Sequence, residues 1–111
     1  MTVVMVTITA PEPDWLIEHV HRLVKEGLAA SGNVIPAVQS IYQWRGEIHD
    51  QAEAFALVQT QAKHVPAIVE MTNTHHPYDT PRVIATNVVS GNPDYLDWVR
   101  TQTQAGALEQ A

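Results

Sequence analysis

Residues 34–60, VIPAVQSIYQWRGEIHDQAEAFALVQT, form the stretch that decides the fold. Val34 to Arg45 alternates between two faces as a strand does, and Arg45-Gly46-Glu47 has the composition of a hairpin turn. Ile48 to Thr60 predicts a long returning strand whose second half is apolar on both faces. Pro36 cannot donate to a strand ladder, so we expect it at the start of the strand, at a sheet edge or on a bulge. The middle of the chain is therefore predicted to be a hairpin of two long strands.

A strand and a helix are predicted before the hairpin. Val3 to Thr9 carries β-branched residues on both faces, which is typical of a central strand. Asp14 follows a Pro-Glu-Pro stretch and is the predicted N-cap of a helix. The predicted end of this helix is Ser31-Gly32-Asn33, because Gly32 can adopt the left-handed conformation that closes a helix. The apolar stripe has the spacing of an amphipathic helix, at Leu16, Val20, Leu23, Val24 and Leu28.

A helix, a strand and a final helix are predicted after the hairpin. Thr60 is the predicted cap of the first of these helices, Pro66 delays its start, and His75-His76-Pro77 ends it. Val83 to Val89 predicts the strand. Asn92-Pro93-Asp94 is a strong helix start, since Asn favours the cap and Pro the first helical position. The inward-facing residues of the two helices are predicted to be Val65, Ile68, Val69 and Thr72, and then Leu96 and Val99.

The resulting element order, βαββαβα, predicts an α+β fold. Helices that alternate with short strands around one central hairpin form the ferredoxin-like βαββαβ sandwich, here with an additional C-terminal helix. A chain of 111 residues is the size of one domain. We therefore expect one domain over residues 1–104 and a frayed tail over residues 105–111, where no periodicity is seen.

The composition excludes several classes of protein. Six Lys and Arg against twelve Asp and Glu give a net charge of −6, and no basic stripe is present for nucleic acid or an anionic membrane surface. The absence of cysteine excludes disulfides, thiolate metal sites and cysteine nucleophiles. No run of apolar residues is long enough to cross a bilayer. The first residues do not resemble a signal peptide, so we expect a cytoplasmic protein.

No motif for nucleotide binding or nucleophilic catalysis is present. The five glycines, at 27, 32, 46, 91 and 106, cannot form GxGxxG or GxxxxGK[ST], and G-x-S-x-G is also absent. The sequence therefore indicates a protein that is not an enzyme.

The densest group of chemically active side chains is His75-His76-Pro77-Tyr78-Asp79. It offers two imidazoles, a phenol and a carboxylate within five residues, and Cu(II), Ni(II) and Zn(II) accept imidazole nitrogen and carboxylate oxygen. The alternative is that His76 caps the end of a helix and Tyr78 packs against the core. On spacing alone the packing interpretation is favoured.

The chain resembles the CutA family of divalent-cation tolerance proteins over roughly residues 3 to 103. The resemblance rests on five segments, Val6-Thr-Ile-Thr-Ala-Pro11, Leu28-Ala-Ala, Ser40 to Ile48, His76-Pro77-Tyr78-Asp79-Thr-Pro81 and Gly91 to Trp98. It implies a ferredoxin-like subunit assembled as a tight homotrimer, an architecture shared with PII-like signalling proteins. It also implies binding of copper or another divalent cation and a role in metal tolerance, with no established catalytic reaction.

Two sets of residues have expected roles. His76 is the expected Cu(II) ligand, with Asp79 beside it and His75 added if the loop turns inward. Five aromatic residues are expected at the trimer interface or in a cleft between subunits, although core packing is an equal alternative for most of them: Tyr42, Trp44, Tyr78, Tyr95 and Trp98.

Three positions depart from the family pattern in ways that weaken the metal site. Ser31 stands where the family usually has Cys, Gln59 where it usually has Lys, and Arg82 where it usually has Glu. The leading hypothesis is a trimeric divalent-cation tolerance protein. The alternative is a PII-like regulatory trimer that binds a small ligand or a protein partner in clefts between subunits.

Overall fold

The computed structural model describes residues 2–104, which form an α+β sandwich of one four-stranded sheet and three helices. The predicted element order is confirmed, and the expectation for residues 105–111 lies outside the described part of the chain. The elements are β1 (Val3–Ala10), α1 (Pro13–Lys25), β2 (Ser31–Trp44), β3 (Glu47–Gln61), a short 3₁₀ helix (Ala62–His64), α2 (Val65–His75), β4 (Val83–Asn87) and α3 (Pro93–Gln102).

The sheet has the strand order β2-β3-β1-β4, and each neighbouring pair is antiparallel. β2 is an edge strand, and its register against β3 shifts between Ile35 and Val38. Pro36 lies in this bulge, as its missing N–H requires. The turn joining the two strands places Arg45 at φ 52 and Gly46 at φ 80, the pair of positive angles that suits a tight hairpin.

The main core lies between the sheet and the helices α1 and α2. Alternate residues of β1 and β3, such as Val6, Ile8 and Val58, point to this side and are fully buried against Leu16 and Ile68. Because side chains alternate along a strand, the neighbouring residues point to the opposite face. That opposite face is open over much of its length, and it holds the groove described below.

The end of α1 was predicted wrongly. The helix ends at Lys25, and Gly27 takes the left-handed conformation (φ 75) that the sequence analysis gave to Gly32. The N–H of Leu28 then bonds the carbonyl oxygen of Leu23, which completes a Schellman cap. Gly32 lies inside β2, where an added Cβ would come within 2.6 Å of a methyl group of Val20.

Other boundaries differ by a few residues. Glu12, and not Asp14, occupies the N-cap of α1. Thr60 caps no helix, because it lies in β3 and its hydroxyl donates to the carbonyl oxygen of Leu28 at 2.6 Å. β4 ends at Asn87, short of the predicted Val89.

The start of α3 is confirmed. Asn92 is its N-cap, and the side-chain oxygen accepts from the N–H of Asp94 at 3.0 Å. The helix covers the Val3 end of the sheet through a second small core that includes Ala30 and Val99. It therefore leaves the other end of the open face, near Thr9, uncovered.

Candidate functional site

A groove of about 830 Å³ crosses the uncovered end of the open face. One wall is the distal half of the hairpin, with Val38, Ser40, Tyr42 and Trp44 from β2 and His49, Glu53 and Phe55 from β3. The other wall is the loop between α2 and β4, residues 77–80, together with Arg82. Pairing of Tyr42 with His49 and of Trp44 with Glu47 places the aromatic side chains of β2 on the groove side of the hairpin.

Glu53 and Tyr78 join the two walls. The Tyr78 hydroxyl donates to Oε2 of Glu53 at 2.8 Å, and the glutamate is 5% exposed. Burial raises the pKa of the Tyr78 phenol well above its usual value, and the hydrogen bond to Glu53 raises it further. Tyr78 is therefore neutral at physiological pH and acts as a fixed donor to a buried carboxylate.

Rings and one guanidinium group line the rest of the groove. Tyr42 and His49 stack with centroids 5.1 Å apart, and the Tyr42 hydroxyl accepts from Nε2 of Gln51 at 2.6 Å. The guanidinium of Arg82 lies 5.6 Å from the centre of the Phe55 ring. The walls thus combine four Phe, Trp and Tyr rings with polar and charged side chains, among them Glu53 and Arg82.

His76 has both ring nitrogens engaged in hydrogen bonds. Nδ1 accepts from the N–H of Tyr78 at 2.9 Å, so Nε2 carries the proton and donates to the carbonyl oxygen of Thr9 at 2.8 Å. Ligation of a metal ion by His76, which the sequence analysis expects, would require breaking one of these two bonds. His76 instead holds the Tyr78 loop against the end of β1.

His75 and Asp79 are both exposed, but they do not complete a metal centre. Nδ1 of His75 bonds the carbonyl oxygen of Met71 at 3.0 Å, and Asp79 lines the groove. Within residues 2–104 no group of three or more His, Asp or Glu side chains is arranged to hold a metal ion.

Comparison with known proteins identifies the family. The family described as "CutA1 divalent ion tolerance protein" matches residues 4–102. This chain belongs to the CutA family. The match supports the divalent-cation tolerance hypothesis over the PII-like alternative.

Relatives and solved structures agree with this assignment. "Protein CutA" of Mus musculus is 39% identical over 98 residues, which cover 88% of this chain and 55% of the mouse protein. The "Divalent-cation tolerance protein CutA" of Thermus thermophilus is 37% identical over 99 residues, 89% of this chain and 96% of that protein. The chain thus spans about half the length of the mouse relative. The crystal structure of CutA1 from Oryza sativa superposes with a TM-score of 0.90 at 30% identity, covering 95% of this chain and 96% of that one.

Three of the five aromatic residues predicted at an interface or cleft meet in the groove of this CutA fold. Tyr42, Trp44 and Tyr78 line it, whereas Tyr95 and Trp98 lie on α3, outside the lining. The rings of Tyr95 and Trp98 are 5.6 Å apart, and the Tyr95 hydroxyl lies 3.2 Å from the hydroxyl of Ser31.

The sequence analysis missed Glu53 and assigned no role to Arg82 in the groove. The signal for Glu53 was available: it is a lone acidic residue beside the apolar run Ala54 to Val58, in a strand predicted to be buried. A charged residue beside such a run needs a partner or a cavity, because burial of an uncompensated charge is costly.

A buried histidine behind the groove wall was also missed. His19 is 1% exposed, and its Nε2 lies 2.8 Å from Oγ1 of Thr72. Trp15 stacks on His19 at 4.7 Å and meets the ring of His76 edge-on at 4.9 Å. This packing connects the helix layer to the loop that carries Tyr78.

Proposed function

We propose that this chain acts as a homotrimeric protein of divalent-cation tolerance, which binds Cu(II) or another divalent cation in the response to metal ions and catalyses no reaction. The observation that carries the proposal is the family match over residues 4–102. Relatives from bacteria carry the name "Divalent-cation tolerance protein CutA".

The exposed hairpin supports assembly with further copies. Ile41 is 69% exposed and Ile48 is 77% exposed, both on the hairpin. β2 is also an edge strand of 14 residues, and a long open edge is a template for pairing with another chain. A second and a third copy would cover both features.

The residues of one chain do not fit a closed metal site. No cysteine is present, and His76 is engaged at both nitrogens. We therefore expect an open and weak site, in which His75 and Asp79 supply ligands and His76 contributes only if the loop rearranges. Imidazole and carboxylate groups favour Cu(II) over Cu(I), and the general order of affinities places Cu(II) above Zn(II).

Calorimetric titration with Cu(II) at pH 7.5 and 5.5, with light scattering on the same samples, tests the proposal. We expect a trimer mass and binding that weakens at the lower pH, because an imidazole must lose its proton to ligate. His75→Ala and Asp79→Ala should weaken binding, and His21→Ala, which changes an exposed histidine of α1, should not. A monomer mass would contradict the assembly, and binding that is independent of pH would contradict an imidazole site.

The place of the protein in the cell remains a proposal. None of the helices within residues 2–104 combines the length and apolar character needed to span a bilayer. We propose the cytoplasm, although a relative from Arabidopsis thaliana is named as chloroplastic.

A further inference from the structure

Two buried nitrogen atoms of α1 lack a hydrogen-bond partner within the part of the chain that the structure describes. One is Nδ1 of His19, a residue that is 1% exposed, and the other is Nη1 of Arg22. The two residues are three positions apart, so they lie on the same side of the helix, where His19 contacts Thr72 of α2. Because a buried polar atom without a partner is costly, a ligand that supplied one would be bound favourably at this α1–α2 seam.

Both nitrogen atoms are hydrogen-bond donors. The Thr72 hydroxyl lies 2.8 Å from Nε2 of His19 and makes no other side-chain hydrogen bond within residues 2–104, so its single proton is donated to Nε2. A neutral imidazole with an accepting Nε2 carries its proton on Nδ1. The guanidinium of Arg22 has donors alone. The missing partner is therefore a hydrogen-bond acceptor, and a metal ion cannot take its place.

The charges around His19 favour an acceptor that is negatively charged. Burial lowers the pKa of this imidazole, and the charges of Arg22, His75 and His76 lower it as well, so the charged groups that act on it are basic. An anion placed beside His19 would therefore be attracted by the guanidinium at every physiological pH, because an arginine stays charged.

Arg22 is not neutralised by its acidic neighbours. Glu18 and Glu26 are one helical turn away on either side, but neither forms an ion pair with Arg22 in the described part of the chain. The side chain is partly exposed, although its Nη1 is buried. An oxyanion can therefore approach the guanidinium from the surface, and an outward rotation of this long side chain opens the way to Nδ1 of His19.

We propose that the α1–α2 seam binds a phosphate group, held by the guanidinium of Arg22 and the Nδ1–H of His19. A guanidinium matches the oxygen atoms of phosphate with two parallel hydrogen bonds, which suits Arg to this ligand. The bound group would supply the acceptors that both nitrogen atoms lack. The seam lies in the helix layer, on the opposite side of the sheet from the groove. It is also independent of the proposed Cu(II) site, because it uses neither His75 nor Asp79.

Calorimetric titration at constant ionic strength tests the proposal, with inorganic phosphate and glycerol 3-phosphate as the probes. Saturable binding is expected for the parent protein, and tighter binding of the ester would indicate a phosphorylated metabolite rather than free phosphate. Arg22→Gln should bind about tenfold more weakly or worse, because it removes a charge-assisted contact. Lys25→Gln is the matched control: it removes an exposed positive charge from the same helix and should bind like the parent.

Nuclear magnetic resonance of the histidine rings locates the site and needs the parent protein alone, so it stays decisive if a variant does not fold. Added phosphate should shift the ring nitrogen signals of His19 and leave those of His49, which lines the groove, unchanged. A shift at His49 without one at His19 would overturn the proposal. So would the absence of saturable binding by the parent, equal binding by parent and Arg22→Gln, or equal weakening in Lys25→Gln. Cu(II) titration of the same variants reports separately on the divalent-cation function.

Discussion

His19 and Thr72 join the middle of α1 to α2 through a buried contact of 2.8 Å between Nε2 and Oγ1. The other ring nitrogen, Nδ1, is buried and has no hydrogen-bond partner within the described residues. The imidazole is therefore packed as a neutral group between two helices. Because Trp15 contacts both His19 and His76, this packing also supports the loop that forms one wall of the groove.

The first prediction concerns the pH dependence of stability. Burial, together with the positive charges of Arg22, His75 and His76, lowers the pKa of His19 to about 4. Between the unfolded value of about 6.5 and this folded value, the unfolded chain binds a proton that the folded chain does not. We expect the free energy of unfolding to fall as pH drops through this window, by about 3 kcal/mol over its full width.

Urea unfolding at pH 7 and at pH 5 measures this effect. His19→Gln removes the titrating ring, so its stability should depend less on pH than that of the parent. His21→Gln, which changes an exposed neighbour on the same helix, should keep the dependence of the parent. A His19→Gln variant with the full pH dependence would show that other groups are responsible.

The second prediction concerns the link between the groove walls. Tyr78→Phe removes the donor to the buried carboxylate of Glu53 without changing the ring. We expect a loss of about 1–3 kcal/mol in the free energy of unfolding, because hydrogen bonds to buried charged groups are among the strongest. Tyr42→Phe is the control, since its partner Gln51 is exposed and water can replace the bond. Equal losses in the two variants would contradict a special role for Glu53.

The third prediction concerns the contact between β2 and α1. Gly32→Ala would place a Cβ 2.6 Å from Cγ1 of Val20, which overpacks the interface. We expect a loss of about 1–3 kcal/mol in the free energy of unfolding. Gly91→Ala meets only ordinary contacts of 3.6 Å with Leu96 and should change stability much less. Urea unfolding of both variants would compare them, and a neutral Gly32→Ala would mean that the helix shifts without cost.

The fourth prediction concerns assembly. Trp44→Ala removes a half-exposed aromatic residue near the tip of the hairpin, where we expect the contact between copies. An aromatic anchor of an interface commonly contributes about 2 kcal/mol or more to association. Light scattering over a dilution series should show earlier dissociation than in the parent. Val89→Ala, at an exposed site outside the hairpin, should dissociate like the parent.

The order of elements could be predicted from the sequence because each element carries its own local pattern. Asn92-Pro93-Asp94 fixes the start of α3 by capping chemistry within three residues. The end of α1 could not be predicted in the same way, because Gly27 and Gly32 both suit a helix cap. From Ala30 onward the main chain pairs with β3 and cannot continue the helix. The first of these bonds joins the N–H of Ala30 to the carbonyl oxygen of Gln59.

The candidate site was harder to predict from the sequence than the order of elements, because its contacts join residues that are far apart in the chain. The sequence identifies His76 as a histidine in a proline-containing loop, but the acceptor of its Nε2 is Thr9, 67 positions earlier. Glu53 and Tyr78 are likewise brought together across 25 positions by the fold. Local spacing could therefore point to the loop, but the acceptor of its histidine lies on a distant strand and could not be predicted from spacing.

The bulge in β2 determines which side chains of the distal half of this strand point into the groove. Between the pairs Ile35–Phe55 and Val38–Glu53, β2 advances by three residues and β3 by two, so β2 contains one residue in excess. Since strand side chains alternate with a period of two, deleting that one residue would turn the distal half of the strand over. The side chains of Ile41 and Gln43 would then turn to the side that Tyr42 and Trp44 occupy, and Tyr42 and Trp44 would turn away from it. A change of one residue in chain length, with no change in the chemistry of the distal strand, would thus exchange an aromatic wall for an aliphatic and amide one.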